Sequence, residues 1–199
     1  WNTATDTIGS LIINSNVEAA VSADGADYIL IANPLDLGWE YQSFGAWTTG
    51  GGTGSGKVGN LTIGSATSGS AIPTTGTATY TGYTGGRYTN SSAQDFFFSS
   101  DLTAAANYGT RTLTVSTTNS TVTRDLLNTS ANSNINISGT MTYASATNSL
   151  TGTFNTADSR LSGTMKGQFY GPTAEELGGT FSATTGSVEG IFGAFGAKK

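Results

Sequence analysis

The chain contains neither histidine nor cysteine, and its 199 residues include only 3 Pro, 2 Met and 8 Lys and Arg. Without imidazole or thiol groups it cannot build a thiolate nucleophile, a Ser–His–Asp triad, a histidine-ligated haem or an ordinary zinc site. The adjacent carboxylates Glu175 and Glu176 point to opposite faces of an extended strand, so they do not form a glycosidase pair. These absences exclude most hydrolase mechanisms, and we expect a protein that is not an enzyme.

Positive charge is also scarce, since 8 Lys and Arg stand against 13 Asp and Glu and leave a formal net charge of −5. Such a chain has no basic stripe with which to displace counterions from phosphates. No apolar run reaches the roughly 18 residues that a membrane-spanning helix needs. We therefore expect no nucleic acid partner and no membrane span in this chain.

Two short motifs come close to a cofactor or metal site without completing one. The glycine-rich stretch 51–58 is similar to a phosphate-binding loop, but Val58 stands where that loop needs Ser or Thr to hold magnesium, and no helix pattern follows. Asp24 and Asp27 have a spacing that matches no established calcium loop. We interpret these stretches as a surface loop and a turn, and we expect neither a cofactor nor a metal.

A five-residue unit of the form apolar, any, Gly, any, apolar recurs in the last third of this chain, whose 28 Gly favour turns and strands over helices. The copies begin 11 to 16 residues apart, which suits antiparallel hairpins and is too short for helical crossovers. Because strand side chains alternate, the two apolar residues and the glycine share one face. That face predicts the interior of a small closed barrel. The copies are Ile137–Met141, Leu150–Phe154, Leu161–Met165, Leu177–Phe181 and Val188–Phe192.

Further apolar runs upstream bring the predicted barrel to about eight antiparallel strands in a meander. The predicted strands are Gly76–Tyr83, a return strand starting at Arg87, Asp95–Leu102 and Arg111–Ser116. Turns are predicted at Gly85 and Gly86, at Asn90–Ser92 and at Asn107–Gly109, with Thr117–Asn134 as the longest loop. The helix-like segments, Leu102–Tyr108 and Ala174–Leu177, are too short to matter.

The first part of the chain has a different sequence pattern, in which polar turns separate apolar runs at Leu11–Ile13, Tyr28–Ala32 and Trp39–Trp47. We expect residues 1–69 to form a smaller β layer packed against the barrel, and residues 70–199 to form the barrel. Aromatic residues near predicted loops are the best candidates for ligand binding, because they give large contact area at modest entropy cost. The candidate binding residues are Trp39, Tyr41, Phe44, Trp47, Tyr83, Arg87 and Tyr88.

The segment Gly167–Phe181, which contains Gly171 and Pro172, resembles the near-terminal hairpin of the transferrin-binding protein B-like β-barrel family. Gly76–Gly82 and Asn107–Leu113 are similar to two further strands of that family. The resemblance implies an eight-stranded barrel preceded by a smaller β handle, in a bacterial surface lipoprotein or a secreted relative. It implies that the hairpin residues are structural and that binding residues lie in variable loops and handle strands.

Members of that family capture host iron proteins, haem or complement regulators, or are described as solute-binding proteins. Haem capture does not suit this chain, because its ligands would have to be Tyr or the two methionines, Met141 and Met165, which are predicted to face the barrel interior. A lipid-bearing cysteine would lie upstream of Trp1, or the protein is secreted. We expect a non-enzymatic binding protein at the bacterial cell surface or outside the cell, whose ligand is a protein or a small solute.

The expected binding region is the barrel-end loops together with the handle. An adhesin or surface-layer module is the alternative, because Thr- and Asn-rich faces also suit multivalent contacts. An outer-membrane pore conflicts with an apolar interior, since such barrels turn their apolar side chains outward.

Overall fold

The computed structural model describes residues 9–14, 17–21, 28–49, 56–124, 128–186 and 188–199, with side chains from Ile29 onward. Within these ranges the chain forms fourteen strands in two antiparallel sheets, and its helix is confined to the single 3-10 turns Gly69–Ala71 and Ser133–Ile135. The predicted all-β class is confirmed. No helix in the described ranges has the length and apolar character needed to cross a membrane.

The first sheet, here called the handle sheet, is a five-stranded meander in which each strand pairs with the next. Its strands are β1 (Gly9–Asn14), β2 (Val17–Val21), β3 (Tyr28–Ala32), β4 (Gln42–Thr49) and β5 (Lys57–Gly64). The predicted apolar runs fall on β1, β3 and β4, whereas β2 and β5 were not predicted. Asp24, Asp27 and residues 50–55 of the glycine-rich stretch lie outside the described residues, and Val58 lies in β5.

The second sheet closes on itself as an eight-stranded antiparallel barrel, because β10 pairs with both β11 and β8. Its strands are β6 (Thr77–Thr89), β7 (Asp95–Asn107), β8 (Thr112–Thr123), β10 (Ile137–Thr142), β11 (Leu150–Thr156), β12 (Ser162–Tyr170), β13 (Glu176–Thr185) and β14 (Glu189–Lys198), and the short β9 (Thr129–Ala131) pairs with the end of β8. The chain changes sheets between Gly64 and Thr77, and the division after residue 69 stays a prediction.

The barrel interior is filled by the large residues of the repeated unit. In the first four copies both apolar residues are buried, and Met141 and Met165 face the interior as predicted, with 0% and 1% of their surfaces exposed. Phe154 and Phe181 meet edge to face with ring centroids 5.4 Å apart. The barrel is therefore a packed core over its described residues.

Several large inward side chains lie across a glycine on the neighbouring strand. Phe181 pairs with Gly193, and Phe195 pairs with Gly179. A Cβ atom added at either glycine would lie 2.5 Å from the Cζ atom of the facing ring, closer than real contacts allow. The glycines of the repeat therefore make room for the rings and methionines that fill the barrel.

The fifth predicted copy, Val188–Phe192, is wrong in register. Val188 is 45% exposed, and Phe192 lies on the outward face of β14. The inward residues are Ile191, Gly193 and Phe195, which repeat the same pattern three positions later. Because side chains alternate along a strand, a shift of three residues moves the pattern to the other face. The copy that faces the barrel interior is therefore Ile191–Phe195.

Three other local predictions are corrected by the structure. Gly85 and Gly86 do not form a turn, because β6 runs through them and Gly86 pairs with both Phe98 and Gly193. The helix-like segment 102–108 lies largely in β7, where every second residue is buried, which is the period of a strand. The stretch 117–134 is not one loop, since β8 continues to residue 123 and β9 follows.

The handle sheet packs on the outer wall of the barrel at β6, β13 and β14. Leu30, Trp39 and Phe44 are buried there against Ala194. Close approach depends on glycine, because a Cβ atom added at Gly196 would lie 2.7 Å from the Trp39 ring. Small residues on the outside of the barrel therefore position the handle sheet.

A buried carboxylate joins the two sheets. Glu176, at the start of β13, is fully buried and accepts hydrogen bonds from the backbone N–H groups of Glu40 and Tyr41, at 2.7 and 3.1 Å. Its neighbour Glu175 bonds instead to the backbone and hydroxyl of Thr173. The adjacent carboxylates therefore have different partners, and the Glu176 carboxylate holds the chain just before β4.

Replacing Glu176 with Gln should lower the free energy of unfolding by about 1–3 kcal/mol, because the amide cannot satisfy both buried N–H groups. Chemical denaturation measures the change. The matched control is Glu175→Gln, which removes the adjacent charge and should cost less than about 1 kcal/mol. Equal costs for the two variants would contradict the role assigned to Glu176.

Replacing Gly196 with Ala should loosen the handle sheet at a cost of about 1–3 kcal/mol, since the added methyl group overlaps Trp39. Hydrogen exchange should quicken in β4 and stay unchanged in β11. Gly109→Ala is the control, because the nearest atom to its new Cβ would lie 3.4 Å away. Unaltered exchange in β4 would show that the sheets do not depend on this close approach.

Candidate functional site

Three of the predicted binding residues hold the two sheets together. Trp39 is 5% exposed and Phe44 is fully buried, with ring centroids 6.0 Å apart, and Tyr83 packs against the same cluster from the barrel. Tyr41 lies beside them, half-buried and next to Gly171. Burial and the carboxylates of its neighbours raise the pKa of Tyr41. These side chains occupy the junction between handle and barrel.

Arg87 and Tyr88 lie near the opposite end of β6. Arg87 forms an ion pair with Asp95 at 2.6 Å. Burial raises the pKa of the Asp95 carboxyl, but hydrogen bonds from Arg87 and Thr89 outweigh it and hold the pKa below its usual range. Tyr88 stacks on Phe96 with centroids 6.1 Å apart. Both candidates are therefore engaged within the chain.

Tyr88 also belongs to a polar network that closes this end of the barrel. Its hydroxyl donates to the buried Glu189 at 3.4 Å, and Arg160 donates to the same carboxylate at 2.8 and 3.2 Å. Burial, followed by the Glu189 charge, raises the pKa of Tyr88. The seven predicted residues thus separate into distant groups and do not form one cluster.

The seventh residue, Trp47, lies on a solvent-facing apolar surface of the handle sheet. On this side, opposite the barrel, the register aligns Ile29 with Trp47 and Ile31 with Leu61 across Gly45. Four aliphatic side chains remain exposed on it by 38–65% of their surfaces. We call this surface the handle face, and its residues are Ile29, Ile31, Trp47, Leu61 and Ile63.

The handle face has few charged residues around it. Gly45 and Gly59 lie between its large side chains, and the Trp47 indole covers Gly59. Within β3, β4 and β5 the only charged residue is Lys57, and Glu18 of β2 is in register with Ile31. Contiguous exposed apolar surface of this kind marks sites of protein–protein contact.

Sequence reasoning missed Ile29, Ile31, Leu61 and Ile63. The sequence of β3, Tyr-Ile-Leu-Ile-Ala, could have indicated this surface, because it is apolar on both faces of the strand. An antiparallel sheet that covers a barrel needs only one apolar face, so a strand without alternation indicates a second surface to be covered.

A polar groove of about 650 Å³ lies between the residues before β4 and the barrel wall. Its charged side chains already have partners, because Asp101 accepts from Asn119 at 2.7 Å and Lys198 donates to the Gly38 carbonyl at 2.6 Å. Nowhere in the described parts of the chain do three or more acidic side chains gather as a metal site would require.

Comparison with solved structures finds proteins whose fold is similar to that of both sheets together. A transferrin-binding protein B variant from Haemophilus parasuis matches with a TM-score of 0.65 and 19% identity, covering 93% of this chain and 37% of its own. The isotype 1 protein from serogroup B Neisseria meningitidis matches with a TM-score of 0.55 and 20% identity, covering 96% and 35%. A surface lipoprotein matches with a TM-score of 0.52 and 18% identity, covering 81% and 77%.

These likenesses, all under 25% identity, show the fold, and the chain spans about a third of the length of the first two proteins. Comparison with curated protein sequences gives no match. Residues 72–199, more than half of the chain, match the family model described as the C-lobe and N-lobe β-barrels of Tf-binding protein B. The predicted resemblance is confirmed, and the chain belongs to the family of transferrin-binding protein B β-barrels.

Proposed function

We propose that this chain is the non-enzymatic binding module of a bacterial surface lipoprotein, and that it captures a protein partner through the handle face. The observation that carries the proposal is the exposure of four aliphatic side chains on one side of the handle sheet. The opposite side of that sheet already supplies its contacts with the barrel. Exposed apolar area that the fold does not use is available to a partner.

The handle face is well suited to binding because it is held in place before a partner arrives. The buried Glu176 carboxylate anchors the chain ahead of β4, and Trp39 and Phe44 pack behind the sheet. A surface that is ordered in advance loses little conformational entropy when it binds. The chain has 11% charged residues, so apolar contact is the main source of affinity on this surface.

The filled barrel favours a partner that binds outside it. Tyr80, Phe154, Phe169 and Phe195 are among the fully buried side chains that pack together in its interior. The two similar proteins from Haemophilus parasuis and Neisseria meningitidis are named for the binding of transferrin. Transferrin is accordingly the partner that we propose to test first.

The double variant Ile31→Thr/Ile63→Thr should weaken transferrin binding at least about tenfold, because each isoleucine contributes about 1–2 kcal/mol when a partner covers it. Threonine keeps the β-branched shape that suits a strand. Biolayer interferometry on the immobilised chain should show saturable one-to-one binding for the wild type. The control Thr164→Ala changes an exposed position of β12 and should leave the affinity unaltered.

Saturable binding that the double variant leaves unchanged would reject the handle face as the binding surface. Absence of transferrin binding to the wild type would reject transferrin as the partner. Concentration-dependent self-association, measured by sedimentation and abolished by the same double variant, would support the surface-layer alternative instead.

A further inference from the structure

The polar groove beside the junction of the two sheets has a wall and a floor from different parts of the chain. Its wall is the turn that precedes β4, to which Asp36, Leu37 and Trp39 belong. Its floor is the outer surface of β6, β7 and β8 next to the end of β14. Its volume of about 650 Å³ lies within the range of about 300–1,000 Å³ that small-molecule sites occupy. The groove therefore has room for an organic ligand.

The wall is a turn that backbone hydrogen bonds hold in shape. The N–H of Trp39 donates to the Pro34 carbonyl at 2.8 Å. Gly38 has a φ of 63°, in the left-handed region that glycine adopts without strain. The Lys198 ammonium donates to the Gly38 carbonyl at 2.6 Å and so ties the wall to the floor. The groove is therefore formed before a ligand arrives, which lowers the entropy cost of binding.

The floor presents short hydroxyl side chains on the outer face of the barrel. Thr81 of β6 lies opposite Thr103 of β7. Asp101 of β7 lies opposite Thr118 of β8, and all four side chains are exposed. Among the described residues, none bonds to the three threonine hydroxyls. Because neighbouring strands lie about 4.8 Å apart, these polar groups recur at a spacing comparable with the length of one sugar ring.

The charged side chains of the groove cancel one another. Two carboxylates, from Asp36 and Asp101, stand against two ammonium groups, from Lys198 and Lys199. Asp36 accepts a hydrogen bond from Asn33 at 2.9 Å, and Lys199 donates to a backbone carbonyl at 3.1 Å. Asp101 and Lys198 have partners within the chain as well. The groove therefore offers no unpaired charge to an ionic ligand and suits a neutral one with many hydroxyl groups.

We propose that this groove binds a short neutral oligosaccharide, whose hydroxyl groups bond to Thr81, Thr103 and Asp101. A sugar hydroxyl both donates and accepts, as a threonine hydroxyl does, so the two can pair in either direction. Among the described residues Asp101 accepts one hydrogen bond, at Oδ2, and its Oδ1 is left for a charge-assisted bond from a ligand hydroxyl. Tyr83, half-buried and opposite Asp101, adds aromatic contact area in the groove.

Exposed threonines occur elsewhere on the barrel, and the wall distinguishes those of the groove. Thr153 of β11 lies opposite Thr164 of β12, in the same arrangement as Thr81 and Thr103. Both are exposed, but neither lines the groove. A ligand on that side of the barrel would contact one surface, whereas a ligand in the groove contacts the floor and the wall together. The pair Thr153 and Thr164 is therefore a matched control.

An array of neutral hexose and N-acetylhexosamine oligosaccharides, printed with their sialylated forms, tests the class of ligand. The whole chain should bind at least one neutral series, and sialylation should not strengthen binding. Calorimetric titration with the strongest binder then measures the affinity. Thr81→Val/Thr103→Val removes two hydroxyls, keeps the β-branched shape and should weaken binding about tenfold. The matched variant Thr153→Val/Thr164→Val should bind as the wild type does.

An NMR titration with the same oligosaccharide locates the site. The amide signals of Thr81, Thr103 and Asp101 should shift in a saturable way, both in the wild type and in Ile31→Thr/Ile63→Thr, because the groove does not include the handle face. Loss of binding in that handle-face variant would assign the sugar to the handle face and overturn the proposal. Absence of binding to every printed glycan, binding to sialylated forms alone, or equal losses in the two threonine variants would overturn it as well.

Discussion

The pairing of a large side chain with a glycine on the neighbouring strand is the contact on which the rest of this structure depends. In an eight-stranded barrel the interior is narrow, and facing rings would collide if every inward position carried a side chain. Phe154 faces Gly139 on one side and Gly163 on the other, and Phe181 faces Gly193. Trp47 repeats the arrangement over Gly59 in the handle sheet.

Glycine has a second use on the outside of the barrel. Gly178 and Gly196 lie beneath the Gln42 side chain, and Gly85 lies beneath Leu30, so the handle sheet can approach the barrel wall closely. The Glu176 carboxylate then ties the two sheets through backbone groups. The same residue type thus accommodates rings on the inner face and a second sheet on the outer face.

This arrangement determines which surfaces can bind. Most of the aromatic residues predicted to bind a ligand pack inside the protein instead. Trp39 and Phe44 lie between the two sheets, and Tyr88 contacts Phe96 and Glu189 near the end of β6. Among the described residues, the handle face remains exposed and takes no part in the contacts between the two sheets. That surface is the one that we propose for a protein partner.

The sequence by itself determined the class of fold, the closed barrel and the inward face of most of its strands. In residues 137–181 apolar residues alternate with polar ones around a central glycine, and this pattern depends only on neighbours in the chain. It could not choose between Val188–Phe192 and Ile191–Phe195, which both fit the pattern; pairing of β14 with β6 made that choice. Nor could it separate packing aromatics from exposed ones, since Phe44 and Trp47 both lie in β4 and differ in which side of the handle sheet they occupy. That difference depends on how two sheets dock, a contact between residues far apart in the chain, and only the tertiary structure decides it.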